Sequence, residues 1–240
     1  MPTMTTFQFG KHKKSTNHGK PVKITVLGQS AVGKTALCVR FMTRRFIGEY
    51  DPTLETTHQF RTFVDGDPGP VDFEILDTAG QAENYLTQSQ IKWADAFIIV
   101  YSVTDRCSFD EVMRLKFIIN KTKDREVAVL IVGNKIDLTF DRMVSKEEGE
   151  KLAKSLNCSF LEISVRESYD DVKYAFLKVY HDMKHLTKRT SSPKLFVRSK
   201  SSAQIRGLTP EVPRPRERSM SVVHQVPLPQ MDQFMSSLNE

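Results

Sequence analysis

The stretch VKITVLGQSAVGKTALCVRFMT, residues 22–43, decides the fold. Its first six residues form a short β-rich apolar run ending at Gly28, and from there Leu37, Val39, Phe41 and Met42 take up helical spacing. Between run and helix lies GQSAVGKT, which fits G-x-x-x-x-G-K-[ST] and stands where that motif's chemistry needs it. Backbone N–H groups of Gly28, Gln29, Ser30, Ala31, Val32 and Gly33, with Ala36 in the first helical turn, are expected to cradle phosphates at the positive helix end. Lys34 is expected to reach the β and γ phosphates and Thr35 to ligate Mg²⁺.

Working outward, apolar runs alternate with helical patterns. The segments 58–64 and 71–76 flank the turn-rich DGDPGP and read as an antiparallel hairpin. AFIIVYSV, a helix opening at Ser108, VAVLIVG, a helix opening at Ser145 with Glu148 three residues on as a capping box, SFLEI, and a helix from about Tyr169 follow. Continuous rather than alternating apolar strands mean a sheet covered on both faces. The expected fold is doubly wound α/β: six mixed strands, one of them the antiparallel hairpin strand, between two helical layers.

The chain of 240 residues is enough for one good-sized domain with tails. Hydrophobic residues at 39% and charged ones at 27% fit neither a wholly disordered chain nor a membrane protein, and no apolar stretch approaches the roughly 20 residues a bilayer requires. MPTMTTFQFGKHKK lacks the apolar core of a secretory signal, so the expected location is the cytosol, with the nucleus or a membrane surface as further stations. Cys38, Cys107 and Cys158 form no CxxC pair and are expected to be packed thiols.

The net charge of +6 is concentrated at the ends: ten Lys or Arg residues against Glu211 and Glu217 between Lys184 and Arg218, and a smaller cluster at Lys11, Lys13, Lys14 and Lys20. These ends are rich in Ser, Thr and Pro and poor in apolar periodicity. The expected organisation is a disordered basic extension over 1–20, a folded domain over 21–187 and a disordered basic tail over 188–240.

Two more motifs end strands. In DTAGQ, residues 77–81, Asp77 stands where a carboxylate can hold Mg²⁺, Gly80 lets its N–H approach a γ-phosphate, and Gln81 is placed to orient a water. In NKID, Asn134, Lys135 and Ile136 precede Asp137, whose carboxylate can accept from both the ring N–H and the exocyclic amino group of guanine. Adenine offers no such pair, and an unpaired buried acceptor costs about 1 to 3 kcal/mol or more.

The order and spacing of GQSAVGKT, YDPTLE, DTAGQ and NKID resemble the Ras superfamily of small GTPases, over residues 22–186. FMTRRFIGEYDPTLETT, the DTAGQ segment leading to Trp93, and EEGEKLA are most similar to its Ras-like, Rerg-like branch. The resemblance implies a monomeric GTPase that binds GTP or GDP with Mg²⁺, hydrolyses GTP slowly and acts as a signalling switch. It implies that residues 50–55 are switch I, with Tyr50 at the nucleotide and Thr53 completing Mg²⁺ coordination beside Thr35 and Asp77. Phe46 and Leu138 belong with the base, Gln81 is the water-positioning glutamine, and switch II follows to about Trp93. Ser164, Val165 and Arg166 stand where the family has Ser-Ala-Lys, the middle backbone N–H meeting the guanine oxygen and the cation covering the ring; a guanidinium can stack as an ammonium does.

Three departures bear on regulation. Ser30 and Ala31 replace two glycines of Ras proper, and Ser30 crowds the region where a partner's arginine must enter. Ala82 stands where Ras proper has an acid that helps nucleotide exchange. The alternative function is a guanine-nucleotide-dependent scaffold with negligible hydrolysis. Effectors acting through the switches, an activating protein and an exchange factor are implied without being identified. SSLNE offers no prenylation cysteine and MPTMTT no myristoylation glycine, so no lipid anchor is expected. A basic tail adds about 1 kcal/mol per Lys or Arg at an anionic surface, enough for weak membrane contact, and nucleic acid is not an expected partner.

Overall fold

A computed structural model describes residues 20–47, 56–78 and 88–191. All of them fall in the first of two compact units, Met1–Lys194. The sequence expectations placed on residues 1–19 and 192–240 lie outside the described residues.

Six strands, β1 Val22–Leu27, β2 Thr56–Phe63, β3 Pro70–Asp77, β4 Ala96–Ser102, β5 Ala128–Asn134 and β6 Ser159–Ile163, make one sheet in the order β2-β3-β1-β4-β5-β6. Only β2 runs antiparallel, paired to β3 from Thr56 opposite Asp77 to Phe63 opposite Pro70. Among the described residues five α-helices accompany them: α1 Lys34–Thr43, α2 Gln88–Trp93, α3 Arg106–Thr122, α4 Lys146–Ser155 and α5 Tyr169–Ser191. The doubly wound expectation holds.

Strand alternation explains the continuous apolar runs. On β4, Ala96, Ile98 and Val100 point to one core, with Leu37 and Phe41 of α1 and Val172, Phe176 and Val179 of α5. Phe97, Ile99 and Tyr101 of the same strand point to the other core, with Ile91 of α2, Val112 and Ile119 of α3 and Ala153 of α4. Each side is therefore covered, and each fully buried aliphatic or aromatic side chain contributes about 1.5 to 3 kcal/mol. Phe41 stacks on Phe176 at 4.1 Å between ring centroids and meets Phe60 edge-on at 4.9 Å, fastening α1 to both α5 and β2.

On the other side Tyr101 is wholly buried, its ring edge-on to Phe109 at 5.0 Å. Its hydroxyl lies so close to Gly133 and Gly149 that a Cβ at either would stand 2.8 or 2.7 Å from that oxygen. Beside it Arg142 donates a fork of two hydrogen bonds to Glu162. Two buried surfaces are thus pinned between α4 and the β5–β6 edge of the sheet.

The capping box at Ser145 is present: its hydroxyl accepts from the Glu148 N–H and the Glu148 carboxylate from the Ser145 N–H. Other expectations need correction. Helix α3 opens at Asp105, not Ser108, because Asp105 accepts from the N–H groups of Cys107 and Ser108. Ser108 turns inward instead, its oxygen accepting from the Ser102 N–H at 3.0 Å. Cys107 is exposed in that first turn and Cys158 half-buried, so only Cys38 is the packed thiol expected of all three. Helix α2 and a 3-10 turn at Thr139–Asp141, both short, were not anticipated from periodicity.

Candidate nucleotide site

Five strands run the same way, so the residues at their C-terminal ends gather at one edge of the sheet. Gly28 follows β1, Asp77 closes β3, Asn134 closes β5 and Ser164 follows β6. The motifs, more than a hundred residues apart in the chain, meet there.

The loop from Gly28 to Gly33 is shaped by backbone demands. At Gly28 φ is 142° and a Cβ would lie 2.1 Å from the Val100 carbonyl oxygen, so only glycine lets the loop lie against β4. At Gly33 φ is 101° and a Cβ would lie 2.4 Å from Asn134 Nδ2. Gly33 is also the N-cap of α1 and brings no capping side chain, leaving the first-turn N–H groups free of a side-chain acceptor. Ala31 takes φ 60°, a left-handed conformation that burdens an alanine. Ser30 and Ala31 are exposed at the tip and Val32 is buried beneath them.

Behind the loop sit the charged groups. Lys34 is buried and donates to the Gln29 carbonyl at 2.7 Å. Burial pulls its ammonium down to about 8, with the Asp77 carboxylate opposing. Asp77, 1% exposed, has its carboxyl pushed up by burial, against the pull of the Thr35 hydroxyl that bonds it and of His58 and Lys34. Its Oδ1 has no hydrogen-bond partner among the described residues, and neither does the buried Nε2 of His58. A buried anionic oxygen beside a threonine hydroxyl is a hard-oxygen donor pair, which suits a small divalent cation. Unpartnered buried oxygens of this kind are costly unless something occupies them.

The base end is the opposite case. Asn134, nearly fully buried, donates from Nδ2 to the Val32 carbonyl at 2.8 Å and accepts at Oδ1 from the Val165 N–H at 3.1 Å. One amide thereby joins the β1–α1 loop, the end of β5 and the β6–α5 loop. Ser164 donates its hydroxyl to Asp137 Oδ1 at 2.7 Å and accepts from the Glu167 N–H at 3.1 Å, which fixes the carboxylate's direction. Lys135 stands between them in the left-handed region, φ 69°. Phe46 at 41% and Leu138 at 37% exposure are apolar side chains left at the surface, and Arg166 is exposed beside buried Val165.

Tyr50, Thr53, Gly80 and Gln81 lie outside the described residues, as do Ala82 and the rest of 79–87. Of the remaining sequence-predicted residues, those of 28–36, Asp77, 134–138 and 164–166 follow or close strands at this one edge, and Phe46 follows the far end of α1. His58, Arg40, Arg44 and Tyr169 were not assigned to the site in that reading. Only the register that sets β2 against β3 and the tertiary packing of α1 against α5 reveal them.

A loop that can cradle phosphates and a carboxylate set to accept from a base define a P-loop nucleotide-binding domain. A sequence model of the Ras family matches residues 23–185. The human Ras-related and estrogen-regulated growth inhibitor is 43% identical over 164 residues, 68% of this chain and 81% of that protein. Ras-like protein family member 11B of Danio rerio is 38% identical over 208 residues, 83% of this chain and 82% of that protein. Mouse GTP-binding protein Rit1 is 42% identical over 160 residues, 65% of this chain and 72% of that protein. The chain belongs to the Ras family of small GTPases, within its Ras-like, Rerg-like branch. Its class of activity is that of a GTP-binding, signalling GTPase.

Proposed function

We propose that this protein binds GTP and GDP with Mg²⁺, hydrolyses GTP slowly and alternates between two signalling states. The observation that carries the reading is the Asn134 tie together with the Ser164–Asp137 hydrogen bond, which presents a carboxylate of fixed direction beside the phosphate loop. In this reading Asp137 accepts from the ring N–H and the amino group of guanine. The Val165 N–H faces the guanine oxygen on a loop that Asn134 holds in place, Arg166 covers one face, and Phe46 and Leu138 close the apolar rim.

At the other end, backbone N–H groups of residues 28–33 and the Lys34 ammonium hold the β and γ phosphates. Thr35, Asp77 and, from switch I, Thr53 would hold Mg²⁺, and the unpaired Asp77 Oδ1 fits that role. When bound, the ion supplies charge neutralisation at the phosphates. Gln81 orients the attacking water, and Lys34 stabilises charge on the oxygens as the γ-phosphoryl group leaves. Arg40 and Arg44 of α1 are engaged with Glu167 and Tyr169, so they do not serve as an internal arginine finger. A partner's arginine would add about 10³ to 10⁵ in rate, and the isolated chain turns over far less than once per second. Effectors, an activating protein and an exchange factor are the partners this cycle requires.

Nucleotide analysis of the purified protein, followed by single-turnover phosphate release from loaded GTP, tests the reading. Bound guanine nucleotide and slow decay abolished by Gln81→Leu are expected. Bound nucleotide with no decay over hours, unaffected by Gln81→Leu, would instead identify a guanine-nucleotide-dependent scaffold. Absence of any nucleotide or of GDP binding would defeat both.

A further inference from the structure

The β6–α5 loop is held from within by Asn134, and it is also held from outside by α1. Arg40 donates from Nη2 to the Glu167 carbonyl at 3.4 Å, and the Arg44 guanidinium lies over the Tyr169 ring, 5.4 Å from its centroid. The two arginines are four residues apart and so share one face of α1. That helix begins at Lys34 and Thr35 beside the phosphate loop, and through Arg40 and its C-cap Arg44 its far half meets the β6–α5 loop.

Each stacked partner lies beside a wall of the base pocket. Arg44 is the C-cap of α1, in the left-handed region with φ 62°, and Phe46 is two residues further on. The Arg45 N–H donates to the Thr43 hydroxyl at 3.2 Å, so the exit from the helix is itself ordered. Tyr169 opens α5 three residues after Arg166, and Ser168 caps that helix by accepting from the Asp171 N–H at 3.1 Å. Separating Arg44 from Tyr169 therefore frees Phe46 on one side and Arg166 on the other.

We propose that Arg44 on Tyr169, backed by Arg40 on the Glu167 carbonyl, is a clasp across the two walls of the guanine pocket that sets the rate of nucleotide release. The inference rests on the guanine-nucleotide reading above and adds positioning residues to it. Arg40 and Arg44 lie in the last turn and at the C-cap of α1, away from the first-turn residues Lys34 and Thr35, so the clasp governs how long nucleotide stays rather than how fast its γ-phosphate is cleaved.

The test is displacement of fluorescent N-methylanthraniloyl-GDP by excess unlabelled GDP at saturating Mg²⁺, using the full chain. Arg44→Ala and Tyr169→Leu are each expected to speed release about two- to tenfold, the range of an exposed to partly desolvated cation–π contact. Tyr169→Phe, which keeps the ring, releases at the wild-type rate. The double variant releases no faster than the quicker single variant, because the second change finds the contact already broken. Single-turnover hydrolysis of GTP already bound is unchanged in both single variants. Wild-type release rates in Arg44→Ala and Tyr169→Leu, multiplicative effects in the double variant, or hydrolysis falling in step with retention would each overturn the clasp. Should Tyr169→Leu fail to fold, the comparison of Arg44→Ala with Arg44→Lys decides: partial retention by lysine supports the contact, and wild-type release in both overturns it. A wild-type chain that holds no GDP sinks the nucleotide reading itself, whereas wild-type retention with unchanged variants sinks only the clasp.

Discussion

The two ends of the nucleotide site are built on opposite principles. At the base end the key polar groups already have partners within the protein: both ends of the Asn134 amide and one oxygen, Oδ1, of the Asp137 carboxylate. At the phosphate end, among the described residues, Asp77 keeps an unpaired buried oxygen and His58 an unpaired buried nitrogen, and Lys34 donates to a backbone carbonyl. A pre-paired pocket binds with little reorganisation and selects by shape and direction. An under-paired one holds polar groups at a cost in stability that charge-bearing ligands can offset. On the proposed reading, selectivity belongs to one end and ligand-dependent stability to the other.

The most severe way to break the contrast is Gly33→Ala, which drives a Cβ toward Asn134 Nδ2 from a φ of 101°. Losing that tie and straining the loop should cost about 2 to 5 kcal/mol and abolish GDP retention, read by denaturant unfolding and by nucleotide analysis. A folded, nucleotide-loaded Gly33→Ala would show that the tie does not join the two ends.

Asp137→Asn should act on the base end alone. GDP affinity falls about 10- to 100-fold by titration calorimetry, and the preference for GDP over inosine diphosphate, which lacks the amino group, shrinks. An unchanged GDP-to-inosine-diphosphate ratio would remove Asp137 from base recognition.

The phosphate end can be addressed through protons. Burial holds Lys34 near 8 in the free protein, so close to half of it is neutral at that pH. Phosphates beside it favour the ammonium and raise that value, so binding GDP at pH 8 takes up about half a proton, and at pH 6 almost none. In the free protein the lowered value also means the unfolded chain binds more protons between pH 8 and 10.5, so the Lys34 contribution makes stability rise with pH there. Binding heats measured in buffers of different ionisation enthalpy report the uptake; identical heats at pH 8 would contradict it.

The gentlest test is Ala31→Gly. Relieving φ 60° gains about 1 to 2 kcal/mol, partly offset by the freer unfolded glycine, for a net stabilisation of about 0.5 to 1 kcal/mol in chemical unfolding. Destabilisation would mean that Ala31 makes a packing contact worth more than its strain.

Legibility in the sequence followed burial. β4 and β5 were readable because both faces of each strand are covered, which writes an unbroken apolar run into the chain. Ser145 and Glu148 announced their capping box because its partners are three residues apart. Asp105 was missed in favour of Ser108, since both are good caps and only the inward turn of Ser108 toward Ser102 separates them. Helix α2 has six residues with one, Ile91, buried, too little for periodicity to register. Within the site, motif spacing located Lys34, Asp77 and Asp137, but the Asn134 bond to Val32 spans 102 residues and leaves no local trace. The same holds for Arg44 and Tyr169, which are joined only when α1 packs on α5.

Tyr101 imposes an order on how this sequence can drift. Its hydroxyl and ring carbon leave no room for a Cβ at Gly133, and at Gly149 the Phe160 ring stands closer still, 2.4 Å from where a Cβ would lie, so aromatic neighbours hold both positions to glycine. A phenylalanine at 101 removes an oxygen that has no hydrogen-bond partner among the described residues, but it leaves the ring carbon 2.9 Å from a Cβ at Gly133 and the Phe160 ring against Gly149, so by itself it lifts neither restriction. Drift in this part of the chain is therefore expected to be contingent, a larger residue at 133 waiting on a change at Tyr101 and one at 149 on changes at both Tyr101 and Phe160.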